Sequence, residues 1–232
     1  MKTTKEEKDA FIASGSEIEE ELYKLFGKED PIVIADIGAC DGLSTIVYSR
    51  MFPNAKFYVF EPVPENYREM VDNFLEYSIT GRILNGWQVA LGRRNGKATF
   101  YKSSGQAPGV ENWNTGNKSG SLLRPRKHLQ EHKWCEFKET FQVEVRSLDS
   151  LDINIDYAHI DVQGAELEVL KGAERVLRKI KALWIEVANI DLYANQPLKR
   201  DIANYLKGRG FICTKDTCGN GKYGDMLWVK SQ

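Results

Sequence analysis

The chain has 232 residues, 42% hydrophobic and 28% charged, with 32 basic and 33 acidic side chains and a net charge of −1. That length supports one large domain, and that balance belongs to a folded chain rather than a disordered one. It carries no global basic field, so nucleic acid is not expected as a partner.

"MKTTKEEKDA" is charged where a signal peptide needs an apolar core, and no run approaches a membrane span. The expectation is a cytoplasmic protein. Cys40, Cys135, Cys213 and Cys218 lack zinc-ribbon spacing and read as reduced thiols. Residues 1–28 form a helical lead-in: Phe11, Ile12, Ile18, Leu22, Leu25 and Phe26 recur near helical spacing, with a break near Gly15. "PIVIADIG" is a continuous apolar run, as in a strand buried on both faces. "DGLSTIVYSRMF" predicts a helix, "AKFYVFEP" a second strand, and "PENYREMVDNFLEYS" a helix with Pro64 near its first turn. "RILNGWQVAL" predicts a third strand. "KATFYKSS" and "KETFQVEVRSLDSL" read as strands around an insertion at 103–137, rich in Gly, Asn, Pro and Trp, that suits a lid or substrate loop.

The alternation then resumes. "YAHIDVQG" reads as a strand, "AELEVLKGAERVLRKI" as one helix, "ALWIEVAN" as a strand and "LKRDIANYLKGRG" as a helix ended by Gly210. "FICTKD" and "DMLWVK" are joined so closely that they must be antiparallel. The pattern predicts a single α/β domain over 1–232, a doubly wound sheet with one reversed strand.

Ligands of such sheets bind beyond the carboxyl ends of the strands. Asp36, Glu61, Asp161 and Glu186 each end a predicted strand. The first strand runs into "DIGACDG", where Gly38 and Gly42 permit close main-chain approach. There is no GxGxxG, which argues against a dinucleotide oxidoreductase, and Asp36 and Asp41 would repel phosphate. They suit an ammonium group. Glu61 stands where an acid takes ribose hydroxyls. A ribose carried with an ammonium group points to S-adenosyl-L-methionine; a strand-to-helix turn without a ligand is the plainer reading.

Methyl transfer from that sulfonium needs an aligned acceptor oxygen and a route for its proton. Asp161 is the candidate base, made effective by burial or by Mg²⁺ or a similar divalent cation held by Asp161, Glu186 and Asp225. His159 should share the face of Asp161, as a base or as a core histidine; Glu186 is the third catalytic candidate. Glu166 reads as a first-turn acid on the helix dipole. "HLQEHKWC" sets His128, His132 and Cys135 at helical spacing, and an exposed polar helix is expected there rather than a soft-metal site. "RPRKHLQEHK" is a solvated stretch, or a greeting surface for an anionic acceptor. Trp113 and Trp134 either stack on sugar rings or anchor the insertion, and Trp87 either flanks the cofactor ring or belongs to the core.

"DIGACDG", "FEPVPENY" and "HIDVQGAELEVLKGAERVL" resemble, in order and spacing, the signature stretches of the FkbM family of S-adenosylmethionine-dependent methyltransferases, over residues 30–230. The resemblance implies a class I methyltransferase, Rossmann-like fold: a seven-stranded, mostly parallel sheet with a C-terminal antiparallel hairpin and helices on both faces. It implies O-methylation of a sugar or glycan hydroxyl, with a polyketide, peptide or other small-molecule acceptor as the alternative. It sets Asp36, Gly38 and Asp41 around the methionine part of the cofactor, Glu61 on the ribose, and Gln88 and Val89 beside the adenine. Ser119 and Ser121 of "KSGSLL" resemble a family stretch that reaches the cofactor carboxylate or the substrate. Gln163 stands where the family pattern has Glu. A non-catalytic cofactor- or partner-binding module is the alternative from another class, and Asp36, Glu61 and Asp161 argue against it. The sequence leaves an oligomer open.

Overall fold

A computed structural model describes residues 3–109 and 115–231. Two helices lead in, α1 (Lys5–Ser14) and α2 (Glu19–Leu25). Thr4 and Glu7 form a capping box that starts α1, and Gly15, at φ 70°, ends it where the sequence placed a break. There follow β1 (Val33–Ile37), α3 (Leu43–Met51), β2 (Lys56–Phe60), α4 (Pro64–Glu76), β3 (Ile83–Trp87), β4 (Ala90–Leu91) and β5 (Gly96–Gly105). The insertion holds α5 (His128–Glu131) and runs into β6 (Cys135–Arg146), and then come β7 (Tyr157–Ile160), α6 (Glu166–Lys171), β8 (Ala182–Ala188), α7 (Lys199–Lys207), β9 (Phe211–Asp216) and β10 (Tyr223–Lys230).

Seven strands form one sheet in the order β3-β2-β1-β7-β8-β10-β9. β10 runs antiparallel to β8 and β9, and every other adjacent pair is parallel. Both faces are covered. Ile34 packs with Ile46, Phe57 and the lead-in residues Ile18, Leu22 and Phe26 on one side. Ala35 and Ile37 pack with Leu170, Leu206 and Trp228 on the other. This alternation explains why β1 is apolar at consecutive positions. The four cysteines are free thiols.

Two elements differ from the sequence reading. The predicted third strand splits. Main-chain pairing with β2 ends as the Glu61 N–H donates to the Trp87 carbonyl at 3.1 Å, and Ala90 and Leu91 then pair with Val145 and Arg146 of β6. β4, β6 and β5 thereby make a separate three-stranded sheet, and Phe100 on β5, with Lys118, Gly120 and Leu122 of the insertion, stands over the strand ends. The single helix expected over 165–180 breaks after Lys171. A Cβ at Gly172 would lie 2.1 Å from the Gly92 carbonyl oxygen, so two main chains meet there. The Asp149 carboxylate then accepts from the Arg175 and Val176 amides, starting a separate turn at Val176–Arg178.

The ends of β1 and β7 are closer still. Gly38 has φ +88°, and a Cβ on it would stand 1.8 Å from the Asp161 carbonyl oxygen. Only glycine meets both demands, the left-handed backbone and the missing side chain. Gly38→Ala is expected to lose about 3 kcal/mol or more of stability, or to fail to fold. Chemical denaturation reads this, and a wild-type unfolding free energy in the variant would contradict the packing described.

Candidate functional site

A cleft opens at the carboxyl ends of β1, β2 and β7. The chain from Ile37 to Asp41 forms one side, with Glu61, Val89, His159 and Asp161 around it. Phe100, Lys118, Gly120 and Leu122 close over it from the second sheet and the insertion, and Phe11 reaches in from α1.

Asp36 is fully buried behind this lining. One carboxylate oxygen accepts from the Thr45 hydroxyl at 2.6 Å, and the other lies 3.1 Å from His159 Nδ1. Burial would lower the His159 imidazole, but the hydrogen bond and charge of Asp36 hold it above its ordinary value. Asp36 therefore reaches the cleft through His159. Asp41 lines the cleft itself. One oxygen accepts from the Leu43 amide at 3.3 Å, and the other pairs with Lys118 at 3.1 Å. Desolvation would lower the Lys118 ammonium, but Asp41 keeps it above its usual value.

Glu61 is 4% exposed and turns its carboxylate to the main chain. It accepts from the Cys40 amide at 3.0 Å and the Val63 amide at 2.8 Å. Burial pushes its carboxyl up to about 7, in spite of both donors.

Beyond Asp161 the acids gather. Asp161, Glu166 and Glu186 each offer an oxygen within 4.8 Å of the others, a spacing that could hold a metal ion. Asp225, expected as a ligand, lies outside that trio and is the register partner of Glu186 across β8 and β10. Gln163 sits between the carboxylates. Its Nε2 donates to Asp161 at 2.7 Å and to Glu186 at 2.9 Å, and its Oε1 accepts from Tyr193 at 3.1 Å. Gln163 has φ 54°, a left-handed conformation that costs a non-glycine residue energy and that these bonds hold in place. One Glu166 oxygen accepts from the Val162 and Gly164 amides at 3.1 and 2.9 Å, which closes the turn ahead of α6. Burial raises all three acids around Gln163's partners: Glu166 to about 7, Asp225 to about 6, and Glu186 well above the carboxylate range, with the charge of Asp161 adding in each case.

Other sequence candidates sit elsewhere. Gln88 is exposed and outside the cleft lining, because the chain is crossing between sheets there. Ser121 is also outside the lining; its hydroxyl donates to the Gln163 carbonyl at 2.7 Å and accepts from the Leu123 amide. Trp87 belongs to the core, stacked on Phe60 with centroids 4.8 Å apart. His128, expected on an exposed helix, is 3% exposed and packs on His132, Phe137 and Tyr193. Burial, with His132 adding, pushes its imidazole down to about 4. Trp113 lies outside the described residues. Lys118, Gln163 and Tyr193 are the site residues that sequence reading missed; "KSGSLL" and "DVQGAE" carried the signal for the first two.

A family model for the methyltransferase FkbM domain matches residues 36–213. The 2-O-methyltransferase NoeI of Sinorhizobium fredii is 31% identical over 199 residues, covering 83% of this chain and 78% of that protein. Among solved structures, the methyltransferase FkbM from Methylobacillus flagellatus superposes with a TM-score of 0.56 at 17% identity, over 88% of this chain and 44% of that longer one. Magnesium protoporphyrin IX methyltransferase of Synechocystis, solved with bound S-adenosylmethionine, superposes with a TM-score of 0.53 at 12% identity, over 97% of this chain and 79% of that one. These structural likenesses are of fold. No described helix is long and apolar enough to cross a membrane.

The acid cluster makes a pH prediction. Glu186 binds its proton more tightly folded than unfolded, so its cost to stability is absent below the unfolded value of about 4.3 and grows as pH rises. Glu186→Gln keeps an acceptor for Gln163 and removes the charge. It is expected to unfold like wild type near pH 4.5 and to be more stable at pH 8, by roughly 1–2 kcal/mol. Equal stability of the two proteins at pH 8 would contradict the burial of that charge.

Proposed function

The chain belongs to the FkbM methyltransferase family, and from that premise we propose that it is an O-methyltransferase whose acceptor is a hydroxyl of a sugar or glycan. The observation that carries the reading is the carboxylate of Asp161, which borders the cleft and is fixed by the amide of Gln163.

S-adenosylmethionine fits the cleft by the chemistry of its donors. Glu61 would take the ribose hydroxyls, exchanging or sharing its main-chain donors Cys40 and Val63. Gly38 and Asp41 would face the methionine part, with Lys118 opposite its carboxylate. Val89 would lie against the adenine. His159, steered by Asp36, would complete the wall near Asp161. When bound, the cofactor supplies a methyl group whose carbon–sulfur bond breaks as an acceptor oxygen attacks, leaving S-adenosylhomocysteine and one proton to be removed. Asp161 takes that proton. Glu186, its neighbour across Gln163, shares the resulting charge and proton balance.

This base works without a divalent cation. The Gln163 Nε2 donates to both Asp161 and Glu186, and Glu166 spends an oxygen on two main-chain donors. Amide donors thus already take one oxygen of each of these acids, which supports a base that needs no cation. The hydroxyl reading draws on this acidic centre and on NoeI, which is a 2-O-methyltransferase. The insertion, which carries Lys118 over the cleft, serves as its lid.

Three measurements test this. Because burial pushes the Glu61 carboxyl up to about 7 and its charged form would accept from ribose hydroxyls, cofactor affinity should fall as pH drops below about 7. Glu61→Gln should bind more weakly and without that pH dependence; calorimetry that finds wild-type affinity flat from pH 6 to 8 sinks the assignment. Asp161→Asn should bind the cofactor and lose roughly 10²–10⁴-fold in kcat. Chelation by EDTA should leave the wild-type rate unchanged, and a rate restored only by added Mg²⁺ would overturn the metal-free base.

A further inference from the structure

Asp161, Gln163 and Lys118 border a second cavity as well as the cleft. It faces α5, β8 and β10, and its chemistry differs. One wall is aromatic: the His132 ring lies 5.9 Å from that of Trp134 and 5.8 Å from that of Tyr223. The floor is Asp161 and Glu186, bridged by Gln163. His128 also lines it, with a buried Nδ1 that has no hydrogen-bond partner.

Several nearby basic side chains are engaged. Arg126 and Lys127 both pair with Asp191, and Lys222 pairs with Glu131. Lys118 pairs with Asp41. An anionic acceptor inside the cavity would meet the carboxylates of Asp161 and Glu186, which weighs against one there.

We infer that this groove is the acceptor subsite and that it takes an uncharged, hydroxyl-rich ring. The ring's C–H face lies on Trp134, His132 and Tyr223, and its hydroxyl edge meets Asp161 and Glu186. An aromatic wall receives an apolar ring face, while carboxylates and an amide supply acceptors and donors for hydroxyls. His128 Nδ1 offers one more partner to a group that reaches it. The shared border at Asp161 then sets the reacting oxygen against the methyl group, with the proton passing to Asp161 as the oxygen–carbon bond forms and the carbon–sulfur bond breaks. The inference rests on the O-methyltransferase reading and adds to it the residues that select the acceptor.

The test offers the protein S-adenosylmethionine with neutral methyl pyranosides, with UDP-glucose and with simple phenols, and follows product by mass spectrometry. A methyl pyranoside should be methylated. Trp134→Ala and Tyr223→Ala should each raise its KM about tenfold or more with cofactor affinity unchanged, and Trp134→Phe should restore most of the loss. Tyr223 is 47% exposed, so its removal leaves the core intact. Pyranoside methylation with unaltered KM in both alanine variants would overturn the groove and leave the O-methyltransferase reading standing. Methylation of only the phenols or only UDP-glucose would overturn the acceptor class. Cofactor binding with no acceptor methylated would contradict the O-methyltransferase reading, and the inference with it.

Discussion

The site depends on the contact between Gly38 and the Asp161 carbonyl. Strands β1 and β7 are neighbours, and the Asp161 amide donates to the Ile37 carbonyl at 3.0 Å. A side chain on Gly38 would force those ends apart. With glycine there, the turn after β1 and the turn after β7 share one wall. The first turn supplies Asp41 and the main chain of the cleft; the second supplies Asp161 and Gln163. A displacement of this contact by an ångström would move the candidate base relative to the cleft, and alignment at that scale governs group-transfer rates.

The second constraint is charge. Four strand-end acids lie at one edge of the sheet, and each has a partner suited to its burial. Asp36 has Thr45 and His159; Glu61 has two main-chain amides; Asp161 and Glu186 have Gln163. Buried carboxylates require such donors. Gln163 solves a particular problem: a neutral side chain holds two acids together without adding a third charge. Glu166 and Asp225 stand beside them with raised affinity for protons. The cluster thus favours protonated acids beside the candidate base.

Much of this was legible in the sequence. The alternation of strand and helix pointed to the sheet, "DIGACDG" to the turn at Gly38, and of the four strand-end acids Glu61 and Asp161 line the cleft. Local patterns reach no further than their own elements. Gly172 ends α6 because Gly92, far off in sequence, crosses against it. Ala90 and Leu91 look like the tail of a strand, but their partners are Val145 and Arg146 of another sheet. His128 sits in a polar stretch and is buried by Phe137 and Tyr193. The function of Gln163 needs Glu186 and Tyr193, which come from other elements, so sequence alone registered only a missing charge. Gln88 and Ser121 were read from motif position; the first faces outward and the second holds the Gln163 main chain.

The most direct measurement is a crystal structure of the protein with S-adenosylhomocysteine. The expected result is the ligand in the cleft, both ribose hydroxyls within hydrogen-bonding distance of Glu61, and the sulfur facing Asp161 with Gln163 still bridging to Glu186. A ligand seated elsewhere, or one whose sulfur points away from Asp161, would contradict the account.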